Sequence, residues 1–179
     1  MPTESLDEQS VVRCVLMRGG TSKALFFHEA DVPPASPARD SLLKRAMGTP
    51  DVLQIDGTGG SRLVTSKVAI IQKSTRPDAD IDYTFAQIDV ERDLIGYDAN
   101  CGNISSAVAP FAIDEGLVEA VEPVTTVRIS RSTSLRAATA SPRTWRWSYW
   151  RSRQASSSTT SRTRARRLPS TTSWRGRCP

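Results

Sequence analysis

The sequence predicts a mixed α/β fold, strands in the majority with two helices set among them, over residues 10–129 of the 179. Three observations carry this expectation. Short runs rich in Val, Ile, Leu and Phe recur between breaks made of Gly, Pro and Asp. Two segments instead carry helix start and stop signals. Strand candidates follow one another without an intervening helix, so the pattern is not a strict βαβ alternation.

The elements read in order as follows. "SVVRCVLMRGG" predicts a strand over Val11–Met17, ended by Gly19-Gly20, with Cys14 inside it as a core residue. "KALFFHEADVPP" gives a short strand at Ala24–Phe27 and then a Pro-punctuated loop. In "SPARDSLLKRAMG", Ser36 is the N-cap and Pro37 occupies the first helical position. Leu42, Leu43 and Met47 form the apolar face and Gly48 stops the helix. "VLQIDGTGG" is apolar and then Gly-rich, and "LVTSKVAIIQKS" is a strand through Ile70 and Ile71. "DIDYTFAQIDV" alternates with period two through Ile81, Tyr83 and Phe85, with Gln87 next in the series. "NISSAVAPFAIDEGLV" predicts a helix from Asn103 to Glu115, kinked at Pro110 and followed by Gly116. "VTTVRIS" is the last strand, and no internal repeat is present.

The formal net charge of +5 and a pI near 9.5 suggest a mildly basic protein with an affinity for anions or nucleic acid. The charge is not spread along the chain, however. Residues 1–129 carry 12 Lys+Arg and all 19 Asp+Glu, a net −7, whereas residues 130–179 carry 12 Arg and no acid. Those last 50 residues hold 12 Ser, 8 Thr and all four Trp, and lack Val, Ile, Phe and Met. So few aliphatic side chains cannot offset the entropy of ordering the segment, so disorder is expected over 130–179, and a flexible N-terminus over 1–9. One reading of this tail is a nucleic-acid binder, with Arg on phosphates and the Trp of "TWRWSYWRSR" as stacking surfaces. The favoured reading is a frameshifted stretch, since a GC-rich gene read in a wrong frame yields this composition and the tail has no periodic pattern.

Other classes are excluded or disfavoured on composition. No apolar run approaches the ~20 residues of a spanning helix. Three Cys are too few, and odd in number, for a disulfide scaffold. The N-terminal "MPTESLDEQS" is acidic, unlike a signal or transit peptide, so a cytoplasmic protein is expected.

Three constellations suit chemistry. In "MRGGTSK", Arg18, Gly19, Gly20, Thr21, Ser22 and Lys23 follow a strand. Small residues let a ligand reach backbone N–H groups, and the hydroxyls add donors. A tight turn with solvated polar tips accounts for the same residues, and the spacing is not that of a Walker A loop. In "DGTGGSRLVTSK", Gly59 and Gly60 loosen the loop before Ser66 and Lys67 enter a strand. There Lys67 is either a buried base or a solvated lysine, and no Rossmann turn is possible because the loop leads into a strand. "DANCGNISSAV" is the most specific of the three. Cys101 stands just before a helix start, Asn100 or Asn103 can cap it, and Gly102 permits close approach. A helix N-terminus favours a thiolate and holds carboxylates, so Cys101 suits a nucleophile, an acid/base thiol or a carboxylate clamp. A buried structural cysteine at a cap fits equally. His28 stands alone, which argues against a Ser–His–Asp triad or a His-based metal site, and the Cys spacing is not that of a metal site.

In their order, "MRGGTSKALFF", "QIDGTGG…TSKVAII", "PDADIDYTFAQI", "NCGN…PFAIDEGLV" and "TTVRIS" closely resemble the PrpF family, which includes methylaconitate and aconitate isomerases and 4-oxalomesaconate tautomerase. The resemblance covers about residues 10–130. It implies a diaminopimelate epimerase-like fold with two related α/β lobes and a cleft between them. It also implies cofactor-independent proton transfer in a small unsaturated di- or tricarboxylate. Carried over by position, Gly19, Gly20, Thr21 and Ser22 would hold substrate carboxylates, and Lys67 would transfer the proton. Cys101, with Asn100, Gly102 and Asn103, would face it from a helix N-terminus. Family members are much longer, so the chain is expected to be an incomplete N-terminal lobe, inactive alone. Two alternatives stand beside this: a nucleic-acid-binding protein using the basic tail, and an amino-acid epimerase of the same fold with Cys101 as one of two opposed thiols. A small carboxylate is the expected partner, neither membrane nor nucleic acid is expected, and the oligomeric state stays open.

Overall fold

A computed structural model describes residues 11–132 and 143–147. They form one seven-stranded mixed sheet with a helix on each face. The strands are β1 (Val15–Gly19), β2 (Ser22–His28), β3 (Lys67–Lys73), β4 (Ile81–Ile88), β5 (Ile95–Gly96), β6 (Thr125–Ser132) and β7 (Arg143–Trp147). The helices are α1 (Pro37–Met47) and α2 (Gly102–Asp114), and a 3-10 turn spans Glu29–Asp31. The strand order is β1-β2-β3-β4-β6-β7, with β5 also paired to β4. The β1–β2, β3–β4, β4–β5 and β6–β7 pairs are antiparallel, and β2–β3 and β4–β6 are parallel. Each parallel pair needs a long connection. The first contains α1 and the second contains α2.

The side-chain period of two sorts the central strands into two cores. Ala24, Phe26, Ala69, Ile71, Ile81, Tyr83 and Phe85 pack against Ile104, Ala107, Val108, Phe111 and Ala112 of α2, with Val127 and Ile129 of β6. Leu25, Phe27, Val68, Ile70, Ala86 and Ile88 face the other way, onto Leu43 and Met47 of α1. The central strands are therefore apolar on both faces, which is why β3 reads as a continuous run rather than an alternation.

Helix α1 follows its sequence signals. Ser36 Oγ accepts from the Arg39 backbone N–H at 3.4 Å, Pro37 opens the helix, and Gly48 closes it at φ 81°. Helix α2 runs unbroken through Pro110, and Gly116 follows it at φ 73°. No described helix is long and apolar enough to cross a membrane.

Three expectations need correction. The first strand begins at Val15, not Val11, and Cys14 is exposed rather than in the core. β1 is the edge strand, with only β2 beside it, and its pairing stops at Val15↔Phe26 although β2 runs on to His28. Neither Asn100 nor Asn103 caps α2: Cys101 is the N-cap residue, with no side-chain cap bond. Nor does the sheet end at 129. β6 continues to Ser132, and β7 pairs with it in register from Thr125↔Trp147 to Ile129↔Arg143. "RTWRW" contains one β-branched and two aromatic residues, types that suit a strand. Pairing with an open sheet edge also supplies backbone hydrogen bonds that composition alone does not reveal. The remaining expectations for residues 1–9, 133–142 and 148–179, Cys178 included, lie outside the described residues.

Asp80 ties the entry of β4 to β6. Its backbone N–H donates to the Arg128 carbonyl at 2.8 Å, and its carboxylate accepts from the Arg128 backbone N–H at 2.7 Å and from the guanidinium at 2.8 Å. The Arg128 side chain holds the Asp80 carboxyl below its usual range, against the opposing effect of burial. A depressed folded value means stabilisation that is complete above the ordinary carboxylate range and lost as pH falls through the folded value. In urea titrations, Asp80→Asn is expected to lower the midpoint at pH 7 and to flatten the loss of stability below about pH 4. Equal acid slopes in both proteins would contradict this. On the opposite face, Leu43→Ala is expected to cost about 2–5 kcal/mol, since Leu43 is fully buried.

Candidate active site

The hairpin between β1 and β2 is a two-residue turn, Gly20-Thr21, closed by the Gly19↔Ser22 pair. Gly20 sits at φ 51°, a region that non-glycine residues seldom enter. This turn lies directly on the start of α2. A Cβ at Gly19 would overlap the Asn103 backbone oxygen, and one at Gly20 would overlap the Asn103 side-chain oxygen. The Asn103 amide donates to Thr21 Oγ1 at 2.8 Å and reaches Ser22 Oγ at 3.5 Å. Asn103, free of any capping duty, thus joins two motifs 82 residues apart. Arg18 Nε donates to the Gly20 carbonyl at 2.8 Å, so Arg18 braces the turn.

Lys67 opens β3, opposite Ala24 on one side and Gln87 on the other. It shares the α2 face with Ala24, Ala69 and Phe85, and stands two residues along the sheet from Ser22. It is only 8% exposed. Its Nζ donates to Gln87 Oε1 at 2.5 Å and lies 5.2 Å from the Phe85 ring centroid. The solvated-lysine reading therefore fails. The turn, the start of α2 and Lys67 occupy one end of one sheet face.

The loop before Lys67 is organised around Gln54. This residue is 2% exposed at φ 50°. Its Oε1 accepts from the Ser61 backbone N–H at 2.9 Å and from Ser66 Oγ at 2.8 Å. Gly59 lies against the Gln54 side chain and Gly60 against Thr65. The Ser66 side chain and the close approaches at Gly59 and Gly60 are thus within the loop. Lys23 is tied to the same loop, its Nζ donating to the Thr58 carbonyl at 3.3 Å.

Cys101 packs against the α2-side core and is partly exposed. Beneath it lies Tyr83, 1% exposed, whose hydroxyl has no hydrogen-bond partner of normal geometry although Ser105 is close. Burial pushes the Tyr83 phenol well above its ordinary range. Negative charge at Cys101 adds to this, while Ser105 and Arg131 oppose it. Tyr83 therefore stays a hydroxyl under the helix start. Arg131, its cross-strand neighbour, donates to the Asp98 carbonyl at 2.9 Å. His28 is engaged elsewhere, 3.0 Å from a Glu115 carboxylate oxygen and tilted against the Phe111 ring. Among the described residues no group of three or more His, Cys, Asp and Glu is placed to hold a metal ion.

Gln54, Gln87 and Tyr83 escaped the sequence reading as site residues. For Gln87 a signal existed: a polar residue continuing an apolar period-two series marks a polar group carried into the core. For Gln54 there was none, because its partners are set by the path of the loop.

The family profile described as "PrpF protein" matches residues 9–141, and the chain belongs to that family. The chain is 52% identical over 124 residues to 3-methylitaconate isomerase of Eubacterium barkeri, covering 69% of this chain and 33% of that protein. It is 52% identical over 121 residues to 4-oxalomesaconate tautomerase of Pseudomonas putida, covering 68% and 34%. Among solved structures, that of methylitaconate-delta-isomerase superposes with a TM-score of 0.67 at 51% identity, over 69% of this chain and 32% of that one. The chain thus spans about a third of the length of these relatives.

The Gly19–Asn103 contact gives a direct test. Gly19→Ala is expected to destabilise the fold by about 1–3 kcal/mol through overpacking. The backbone amides of Gly102–Ser106 should shift most in a heteronuclear correlation spectrum. A neutral effect on the urea midpoint would show that the turn does not seat on the helix.

Proposed function

We propose that this site transfers a proton within a small unsaturated di- or tricarboxylate of the methylaconitate, aconitate or oxalomesaconate class, shifting a double bond by one position. The observation that carries the reading is the seating of the Gly19–Ser22 turn on the start of α2, on the sheet face where Lys67 is held. The named activities of the relatives, on methylitaconate and oxalomesaconate, support the substrate class.

The chemistry needs no external group. A base removes a proton from the carbon allylic to the double bond and adjacent to an electron-withdrawing carboxylate or carbonyl. The electron pair spreads over the three-carbon system and onto that group's oxygens. A proton returned at the far carbon completes the shift, so atoms and charge balance. Lys67 and Cys101 are the proposed proton carriers. The Gly19 and Gly20 backbone, the hydroxyls of Thr21 and Ser22, and the N–H groups of Gly102 and Asn103 are the proposed carboxylate holders. Arg18, Lys23, Asn100, Gly59, Gly60 and Ser66 complete the proposed substrate-binding set. Donors fixed in place before the reaction stabilise developing negative charge without reorganising.

Since the chain spans a third of its relatives' length, turnover by this chain alone is expected to fall far below theirs while carboxylate binding persists. Incubation with aconitate, methylaconitate and oxalomesaconate, followed by ultraviolet absorbance, measures the first. Amide shifts of Gly19–Ser22 and Gly102–Asn103 on titration with the same acids measure the second. Turnover matching a full-length relative would overturn the expectation of inactivity, and absence of any such shift would overturn the site. Where turnover is measurable, Lys67→Met and Cys101→Ser are each expected to lower it by about 10²-fold or more, the usual range for a lost acid or base.

A further inference from the structure

We propose that Gln87 is a positioning residue that holds the Lys67 amine toward the α2 face of the sheet. This rests on the reading of Lys67 as a proton carrier, but its test does not.

The orientation of the Gln87 amide follows from its surroundings. Its Nε2 lies 3.1 Å from the Leu63 carbonyl oxygen, 2.9 Å from that of Ser66 and 3.2 Å from that of Ile88. An amide oxygen in that place would face three acceptors with no proton between them, so the NH2 group must stand there. Its two N–H bonds serve three oxygens, with one bond shared. The carbonyl is then forced to the opposite side, where it accepts from Lys67 Nζ. One short side chain fixes both the end of the loop that precedes Lys67 and the amine itself.

The backbone reinforces the arrangement. The Ile88 N–H donates to the Ser66 carbonyl at 3.0 Å, and Ser66 Oγ is held by Gln54. The residue before Lys67 is thereby pinned from two directions. A lysine side chain otherwise samples many rotamers, and confining one costs conformational entropy that a fixed acceptor offsets. A Gln serving only the loop would need the three carbonyl contacts but no partner at Oε1. The Lys67 contact is the part that a merely structural role leaves unexplained.

The test compares amine reactivity in the full chain. Four lysines are present, Lys23, Lys44, Lys67 and Lys73, so acetylation by a limiting anhydride can be followed at each by mass spectrometry. In the unaltered chain Lys67 should be the slowest. In Gln87→Met, of similar length and apolar, Lys67 should react about three- to tenfold faster while the other three keep their rates, as loss of one hydrogen bond implies. Gln87→Glu keeps an acceptor for the amine but loses the NH2 group. It should restore slow acetylation of Lys67 even where the loop is loosened. Unchanged Lys67 reactivity in Gln87→Met, a joint acceleration of all four lysines, or a Lys67 no slower than the others in the unaltered chain would each overturn the assignment. Failure of the isomerase reading would appear separately, as absent carboxylate-induced shifts, and would leave the acetylation rates as measured.

Discussion

The contact of two side-chain-free residues with one asparagine organises this molecule. Gly19 and Gly20 allow the tip of the β1–β2 hairpin to lie on the first turn of α2, where Cβ atoms would overlap Asn103. The helix start is thereby brought to the end of the sheet at which β3 begins. Without that seating, the N-terminal N–H groups of α2, the hydroxyls of Thr21 and Ser22, and Lys67 would be features of three separate segments. With it they share one rim. The glycines matter here for what they lack at a point of close approach, and for Gly20 also for its left-handed conformation.

The second constraint is the loop between α1 and β3, which must deliver Lys67 into a nearly solvent-free position. It does so with polar side chains turned inward. Gln54 satisfies Ser61 and Ser66, Thr49 donates to the Asp89 carbonyl, and Gln87 closes the end of the loop from β4. Buried polar groups stabilise only when fully paired. The loop is therefore a small hydrogen-bonded unit whose order depends on the sheet behind it. Tyr83 departs from this pattern: its hydroxyl is buried beside Ser105 with no hydrogen-bond partner of normal geometry.

What was legible in the sequence follows the same division. Helix α1 was readable to the residue because its signals are local: a serine cap, a proline, a spaced apolar face and a left-handed glycine. The central strands were readable from their period and apolar runs. The two motifs of the site were visible as glycine, hydroxyl and cysteine clusters, but not that Asn103 would abandon the cap to bridge them, since that is a contact between segments far apart in the chain. The short β5 and the edge strand β7 were missed for a related reason. Their stability comes from a neighbouring strand, β4 in one case and β6 in the other, and not from their own apolar content. The position of Cys14 is not legible from composition, because where an edge strand stops pairing is decided by its one neighbour and not by its own apolar content.

The charges bear on how the proposed site would meet an anion. Residues 1–129 carry a net −7, but β6 and β7 add Arg131, Arg143 and Arg146 to the same sheet and the full chain is +5, so net charge does not decide how a di- or tricarboxylate meets it. At physiological ionic strength the effect of exposed charges fades beyond about 8 Å, and within that distance the local donors decide. Here the donors are neutral for the most part: backbone N–H groups at a helix start and a glycine turn, two hydroxyls and an amide. Such groups lose little to desolvation when empty, and they pair with a carboxylate without the penalty of burying further charge. Lys67, on this face, is recessed and held by Gln87. A carboxylate bound at the rim would therefore be fixed by directional hydrogen bonds, leaving the lysine to act on the carbon skeleton and not to serve as a counter-ion. Neutral, directional donors would thus favour geometric recognition of a particular carboxylate over capture of anions in general.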